Sequence, residues 1–220
     1  MDEAQFFSRE RLRMVNDQLI ERGIRDLRVL DAMGRVPREA FVPVQYSHLA
    51  YADGPLPIDE RQTISQPYIV ALMTELLELK GGETVLEVGT GSGYQAAVLA
   101  CLAGQVHTVE RFQSLAEEAA GKLKKQGLEN VHVHVGDGSL GWPEAAPYQG
   151  ILVTAAAPQT PQPLLDQLTE DGRLVIPVGG SGSQVLEVWK RKGSGFDHEA
   201  ILPVAFVLLR GRYGWESEHF

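Results

Sequence analysis

The apolar positions along the chain follow two rhythms, and the change comes near residue 81. Before it the spacing is helical. Leu12, Val15, Leu19 and Ile20 follow Ser8, a residue type that caps helices, and Gly23 closes the run. Asp26 stands where it caps a second helix with Leu27, Leu30 and Met33 inward, and Pro37 intervenes after it. Residues 43–67 are rich in Pro, Gly and turn formers. A third helix is predicted over 68–79, with Ile69, Leu72, Met73, Leu76 and Leu77 on one face.

From residue 81 short apolar runs alternate with helical patterns. TVLEV (84–88), QVHTV (105–109), VHVHV (131–135), ILVTA (151–155) and RLVIP (173–177) read as strands, with helices at 95–102 and 114–126. Buried β-branched strands separated by helices pair in parallel through right-handed crossovers, which predicts an α/β fold: a doubly wound, Rossmann-like, mostly parallel sheet with helices on both faces. VLEVW (185–189) and the apolar run 201–209 flank a GSG turn at 193–195 and predict an antiparallel C-terminal strand pair. The expected organisation is an N-terminal helical extension, 1–80, joined to a Rossmann-like domain, 81–220, as one unit.

Composition narrows the chemistry. The 220 residues carry 20 Lys and Arg against 29 Asp and Glu, a formal charge of −9, and 44% are hydrophobic. Such a chain folds, and its acidity speaks against binding nucleic acid while leaving a cationic small molecule open. Cys101 is the single cysteine, so an internal disulfide and a cysteine-based zinc site are out, and a reducing compartment is expected. The start, MDEAQFFSRERLR, lacks the apolar core of a signal peptide, and no apolar run approaches the roughly 20 residues that span a bilayer. A cytoplasmic monomer without a membrane partner is expected.

The strongest motif is VLEVGTGSGY (85–94), which follows a predicted strand and opens a predicted helix, as a glycine-rich nucleotide loop must. Gly89 permits the turn and Gly91 a close ligand approach, although a plain tight turn selects glycine as well. The spacing G-x-G-x-G departs from the dinucleotide fingerprint, because Tyr94 stands where the third glycine belongs. Glu87, two residues before the loop, would repel a pyrophosphate and attract an ammonium or sulfonium. Glu110 ends the second strand, about where a carboxylate accepts ribose hydroxyls, and Asp137 in GDG (136–138) ends the third. Any one of these acids reads equally as a solvated loop charge; three on successive strands beside a glycine loop form a pattern.

The loop EVGTGSG, Glu110 and the GDG step resemble class I S-adenosylmethionine-dependent methyltransferases. QTISQPY (62–68), with RVPREAFVP (35–43), DGPLPI (53–58), ILVTA and LVIPVG (174–179), is similar to the protein-L-isoaspartate O-methyltransferase family over about residues 14–209. The resemblance implies methyl transfer from S-adenosylmethionine to the free α-carboxylate of L-isoaspartyl residues in damaged proteins and peptides, with S-adenosylhomocysteine as product. It implies that Gln62, Thr63 and Ile64 contact the cofactor and that Ser65 is the active-site serine. Gly89, Thr90, Gly91, Ser92 and Gly93, beside Glu87, would hold the methionine portion, Glu110 the ribose, and Asp137 with Gly138 the adenine. Ile64, Ser65, Val204, Ala205 and Phe206 would contact the acceptor. The family's VRFVPL run stands here as VAFVLL (204–209), without its arginine and proline. Ser65 on local sequence reads equally as a helix cap. A methyltransferase with a small-molecule or amine acceptor and a non-catalytic nucleotide-binding module are the alternatives; the TISQP segment weighs against both. His132 and His134 share a strand face without an evident third metal ligand and read as a packed or solvated pair, and the tail 216–220 reads as frayed.

Overall fold

The computed structural model describes residues 3–180 and 182–216, so most of the tail reading falls on 217–220, outside the described residues. Helix α1 (Glu3–Arg13) starts ahead of Ser8, which therefore sits inside the helix and caps nothing. It runs into a π-helical stretch, Met14–Ile20, where Glu21 N bonds Asn16 O at 3.2 Å and Ile24 N bonds Leu19 O at 3.1 Å, each five residues back. The wider turn rotates the apolar stripe: Met14, Val15 and Leu19 are buried while Leu12 stays 61% exposed. Helix α2 (Leu27–Arg35) is capped as expected, the Asp26 carboxylate accepting Arg28 N at 2.8 Å. Its buried stripe is Val29, Ala32 and Met33; Leu27 lies about 200° around the helix from Val29 and is exposed.

The turn-rich stretch contains a short antiparallel hairpin, β1 (Leu56–Pro57) with β2 (Thr63–Ile64). Helix α3 (Pro67–Leu76) follows, with Gln66 at its N-cap and no side-chain cap bond. Ser65 is therefore not a helix cap.

The main sheet holds seven strands: β3 (Thr84–Val88), β4 (Gln105–Glu110), β5 (Val131–Val135), β6 (Tyr148–Val153), β7 (Leu168–Gly180), β8 (Ser183–Lys192) and β9 (Gly195–Val204). Their order is β5-β4-β3-β6-β7-β8-β9, parallel from β5 through β7 and antiparallel beyond. Helices α4 (Tyr94–Ala100), α5 (Gln113–Lys125) and α6 (Gln162–Asp166) make the crossovers. The mostly parallel, doubly wound sheet is as expected, with β9 at the edge.

Strand alternation divides the core. Val85, Leu152, Val175 and Leu186 pack with Met33, Phe41, Tyr94 and Leu99, whereas Leu86, Val88, Ile151, Val153 and Leu174 pack with Leu164 on the other face. The chain leaves β3 toward β4 on one side and β6 toward β7 on the other. The carboxyl ends of adjacent β3 and β6 thus form the crevice where such sheets bind ligands. The apolar run 201–209 does not form one strand. It leaves the sheet after Val204 and crosses to the end of β6, where Ala156 N bonds Val207 O and Leu209 N bonds Ala156 O, both at 2.8 Å.

The histidine pair has a neighbour that only strand register reveals. His107 of β4 lies opposite His132, its Nδ1 3.0 Å from His134 Nε2, and His134 stacks on Trp142. Burial and mutual repulsion hold His107 down at about 4 and lower His134, so both are neutral near pH 7. Among the described residues no group of three His, Cys, Asp or Glu could hold a metal ion.

Candidate active site

The loop from β3 to α4 turns on glycines that no other residue replaces cheaply. Gly89 has φ +94°, and a Cβ there would lie 2.3 Å from Thr154 Oγ1. That hydroxyl, just past β6, donates to Gly89 O at 2.7 Å and ties the two strand ends together. Gly93, φ +87°, opens α4, and its N bonds Thr90 O at 2.8 Å.

Glu110, at the end of β4, braces the loop: it accepts Gly91 N at 2.9 Å and Phe112 N at 3.0 Å, one on each oxygen. Each oxygen keeps a further acceptor site. Glu87 is 0% exposed. Its Oε2 accepts the Thr108 hydroxyl at 2.5 Å, Thr90 Oγ1 lies 2.6 Å from that hydroxyl, and Oε1 has no partner among the described residues. Burial pushes the Glu87 carboxyl up to about 8, with the nearby Glu110 charge adding to the rise and the Thr108 bond opposing it.

Around these groups lies a cavity of about 420 Å³. Gln62, Thr63, Ile64, Ser65, Glu87, Gly89, Thr90, Gly91, Ser92, Glu110 and Gly138 line it, with Thr154 and residues 207–210. A second cavity, about 470 Å³, is lined by Val204, Ala205, Phe206, Arg22 and Tyr68. Thr63 and Ser65 line both. Three stretches of sequence distant from one another thus meet at two residues.

Arg38 holds this junction from behind. It is 0% exposed, donating Nη2 to Ser65 O at 2.8 Å and Nε to Ala50 O at 2.7 Å, with its guanidinium 4.8 Å from the Tyr94 ring. Burial lowers its pKa to about 10, which leaves it charged near neutrality. Arg38 belongs to RVPREAFVP, a motif whose task is not legible in the sequence. Thr154 and residues 207–210 were also missed; the polar residue that ends ILVTA's apolar triplet was the available signal for Thr154.

Three expected residues stand differently. Gly93 opens α4 but lines neither cavity. Asp137 does not line the first cavity: its carboxylate accepts Ser139 N at 3.0 Å, Ser139 Oγ at 2.7 Å and Arg212 N at 2.7 Å. Phe206 reaches the second cavity, but its backbone is engaged, N donating to Gln184 Oε1 at 2.6 Å and O accepting Gln184 Nε2 at 3.0 Å. It has no free backbone pair to offer an extended peptide, whereas β9, an edge strand, presents one side unpaired up to Val204.

The sequence model of the protein-L-isoaspartate(D-aspartate) O-methyltransferase family matches residues 10–214. A Methanoregula boonei relative named protein-L-isoaspartate O-methyltransferase is 57% identical over 210 residues, spanning 96% of this chain and 97% of its own. A Syntrophobacter fumaroxidans relative, protein-L-isoaspartate O-methyltransferase 1, is 55% identical over 211 residues, 96% and 99% of the two chains. A Plasmodium falciparum structure assigned to protein-L-isoaspartate O-methyltransferase, in complex with S-adenosyl-L-homocysteine, is 27% identical with a TM-score of 0.78, covering 89% of this chain and 96% of that one.

Proposed function

The chain belongs to the protein-L-isoaspartate(D-aspartate) O-methyltransferase family, and on that premise we propose that its two cavities bring S-adenosylmethionine and the free α-carboxylate of an L-isoaspartyl residue together across Thr63 and Ser65. The observation that carries this reading is the sharing of those two residues between the cavities.

The first cavity suits the cofactor's charge. Glu87 offers a buried, unpartnered carboxylate oxygen, and Glu110 keeps acceptor capacity beyond its two backbone donors. In this reading Gly89 to Gly93 hold the methionine portion, Glu110 the ribose hydroxyls and Gly138 the adenine side. Gln62, Thr63 and Ile64 close the cavity from outside. Asp137 acts indirectly, shaping the turn through Ser139 and Arg212. When bound, S-adenosylmethionine supplies a methyl group on a positively charged sulfur.

The chain's own residues have a modest task. An α-carboxyl titrates at about 3.3–3.7, so the acceptor is already ionised near neutrality and no base has to take a proton. Ile64, Ser65, Val204, Ala205 and Phe206 receive it. The Ser65 hydroxyl donates one hydrogen bond to the carboxylate, replacing water and fixing which oxygen faces the cofactor. Arg38 keeps Ser65 in place through its carbonyl.

A cytoplasmic monomer that acts on isoaspartyl proteins and peptides, without nucleic-acid or membrane partners, completes the proposal. The charge of −9 and the lone Cys101 support it. Among the described residues no helix is long and apolar enough to cross a membrane. That 1–80 and 81–220 act as one unit is supported by the core they share.

Ser65→Ala tests the assignment. One hydrogen bond to a charged group is worth about 1.5–3 kcal/mol, so turnover of isoaspartyl peptide should fall roughly 10- to 150-fold. Affinity for S-adenosylmethionine should change far less. Undiminished turnover would remove Ser65 from the mechanism.

A further inference from the structure

The cavity that receives the acceptor in the reading above has one charged side chain among its lining residues, Arg22, and the transfer itself does not use it. Arg22 is held in place. Its guanidinium lies over the Tyr68 ring, 3.7 Å from the centroid, and its Nη1 donates to both oxygens of Asp53 at 3.2 Å. Asp53 Oδ1 also accepts Gln66 Nε2 at 2.7 Å, which links Arg22 to the residue after Ser65. Among the described residues no acceptor takes Arg22 Nε or Nη2, and the side chain is 40% exposed. A guanidinium with its plane set by an aromatic face and donors left over is prepared to take a further carboxylate.

We propose that Arg22 is an anion-reading subsite of the acceptor cavity, favouring isoaspartyl peptides that carry an acidic side chain close to the isoaspartyl residue. The proposal rests on this cavity being the acceptor site. Among the described residues no carboxylate lines the cavity itself, and the one that competes for Arg22 is Asp53 behind it. The chain's overall charge of −9 does oppose a second negative charge on the peptide, but charges beyond roughly 8 Å are largely screened at physiological salt. The guanidinium at the cavity wall therefore decides the sign. Asp53, half of whose side chain is exposed, neutralises Arg22 only in part.

An exposed pair of this kind changes affinity by up to about fivefold. The test compares kcat/KM for matched isoaspartyl peptides carrying Glu, Gln or Lys beside the isoaspartyl residue, on each side in turn, at low and high salt. The wild type should prefer Glu over Lys by about fivefold at low salt on at least one side, and less at high salt. R22Q should bring that ratio to about one, R22E should invert it, and R22K should keep its sign. Asp53→Asn, which removes the competing carboxylate, should enlarge it. A ratio is insensitive to partial loss of folded enzyme, so an unstable variant still reports. Equal kcat/KM for Glu and Lys peptides in the wild type, or a ratio unmoved in R22Q, overturns the subsite while leaving the methyltransferase reading intact. Methylation of none of the peptides by the wild type overturns the acceptor reading and the subsite together.

Discussion

A carboxyl group sealed from water, with one oxygen on a threonine hydroxyl and the other on nothing, keeps its proton to higher pH than a free one; Glu87 is such a group, raised from 4.5 to about 8. The consequence for stability has a definite sign. Between those two values the folded, ligand-free chain holds a proton that the unfolded chain has lost, so the stability Glu87 contributes is present below 4.5 and is lost as pH rises toward 8. A cation placed beside the free oxygen favours the ionised form instead. S-adenosylmethionine affinity should therefore rise with pH across that window, with proton release on binding visible by calorimetry in buffers of different ionisation enthalpy. S-adenosylhomocysteine, which lacks the sulfonium, should show a weaker dependence, and Glu87→Gln should abolish the proton release. An unchanged pH slope in that variant would contradict the assignment. The hydroxyl chain predicts the accompanying change: with Glu87 ionised, Thr108 donates to it and accepts from Thr90, leaving Thr90's lone pairs for the cavity. The acid was legible in the sequence. Its protonation was not, because that depends on the register pairing Glu87 with Thr108 and on complete burial.

At the scale of elements, the loop between β3 and α4 and the turn before α3 are each fastened by one buried charged side chain. The sequence reads Glu110 as a ribose ligand or a solvated loop charge, and either would make its loss harmless to the fold. The structure gives it two backbone donors as well. Glu110→Ala should weaken cofactor binding roughly 10- to 150-fold and also lower the ligand-free melting temperature, because two half-buried backbone N–H groups lose a charged acceptor. A ligand-free melting temperature equal to wild type would show that the loop holds without it. Arg38 does the same for the Ser65 turn: Arg38→Met would leave two carbonyls without their donor, and a stability loss of about 3 kcal/mol is expected in denaturant titration. Elements with one period were read well, as in TVLEV and VHVHV, whose bounds match β3 and β5. Where a local event breaks the period the reading slipped. The π-helical stretch shifted which residues of the first helix are buried, and the apolar run 201–209 hid a chain that leaves one strand to pair beside another. Hydrophobicity alone distinguishes neither event from a regular element.

The whole molecule places its chemistry where the sheet's connections diverge and lets the N-terminal segment cover it. Met33, Phe41 and Ile64 from that segment share a core with Val85, Tyr94 and Leu152, so the TISQP segment is carried on the same packed body as the glycine loop. The family resemblance rests on motifs scattered along the chain, and the fold brings QTISQPY, EVGTGSG, Glu110, the GDG step and ILVTA to one cavity. Asp137 and Phe206 show the limit of that inference: a motif match identifies a neighbourhood, while hydrogen bonding decides which groups remain available. Ligand binding should register on this body as a unit. S-adenosylhomocysteine at about 100 times its dissociation constant should add roughly 2.7 kcal/mol to stability, and NAD should add none. The most direct measurement is transfer of labelled methyl from S-adenosylmethionine to two peptides identical except for an L-isoaspartyl or an L-aspartyl linkage at one position. The account predicts base-labile label on the isoaspartyl peptide and background on its aspartyl twin; equal labelling of the two, or label on neither, would contradict it.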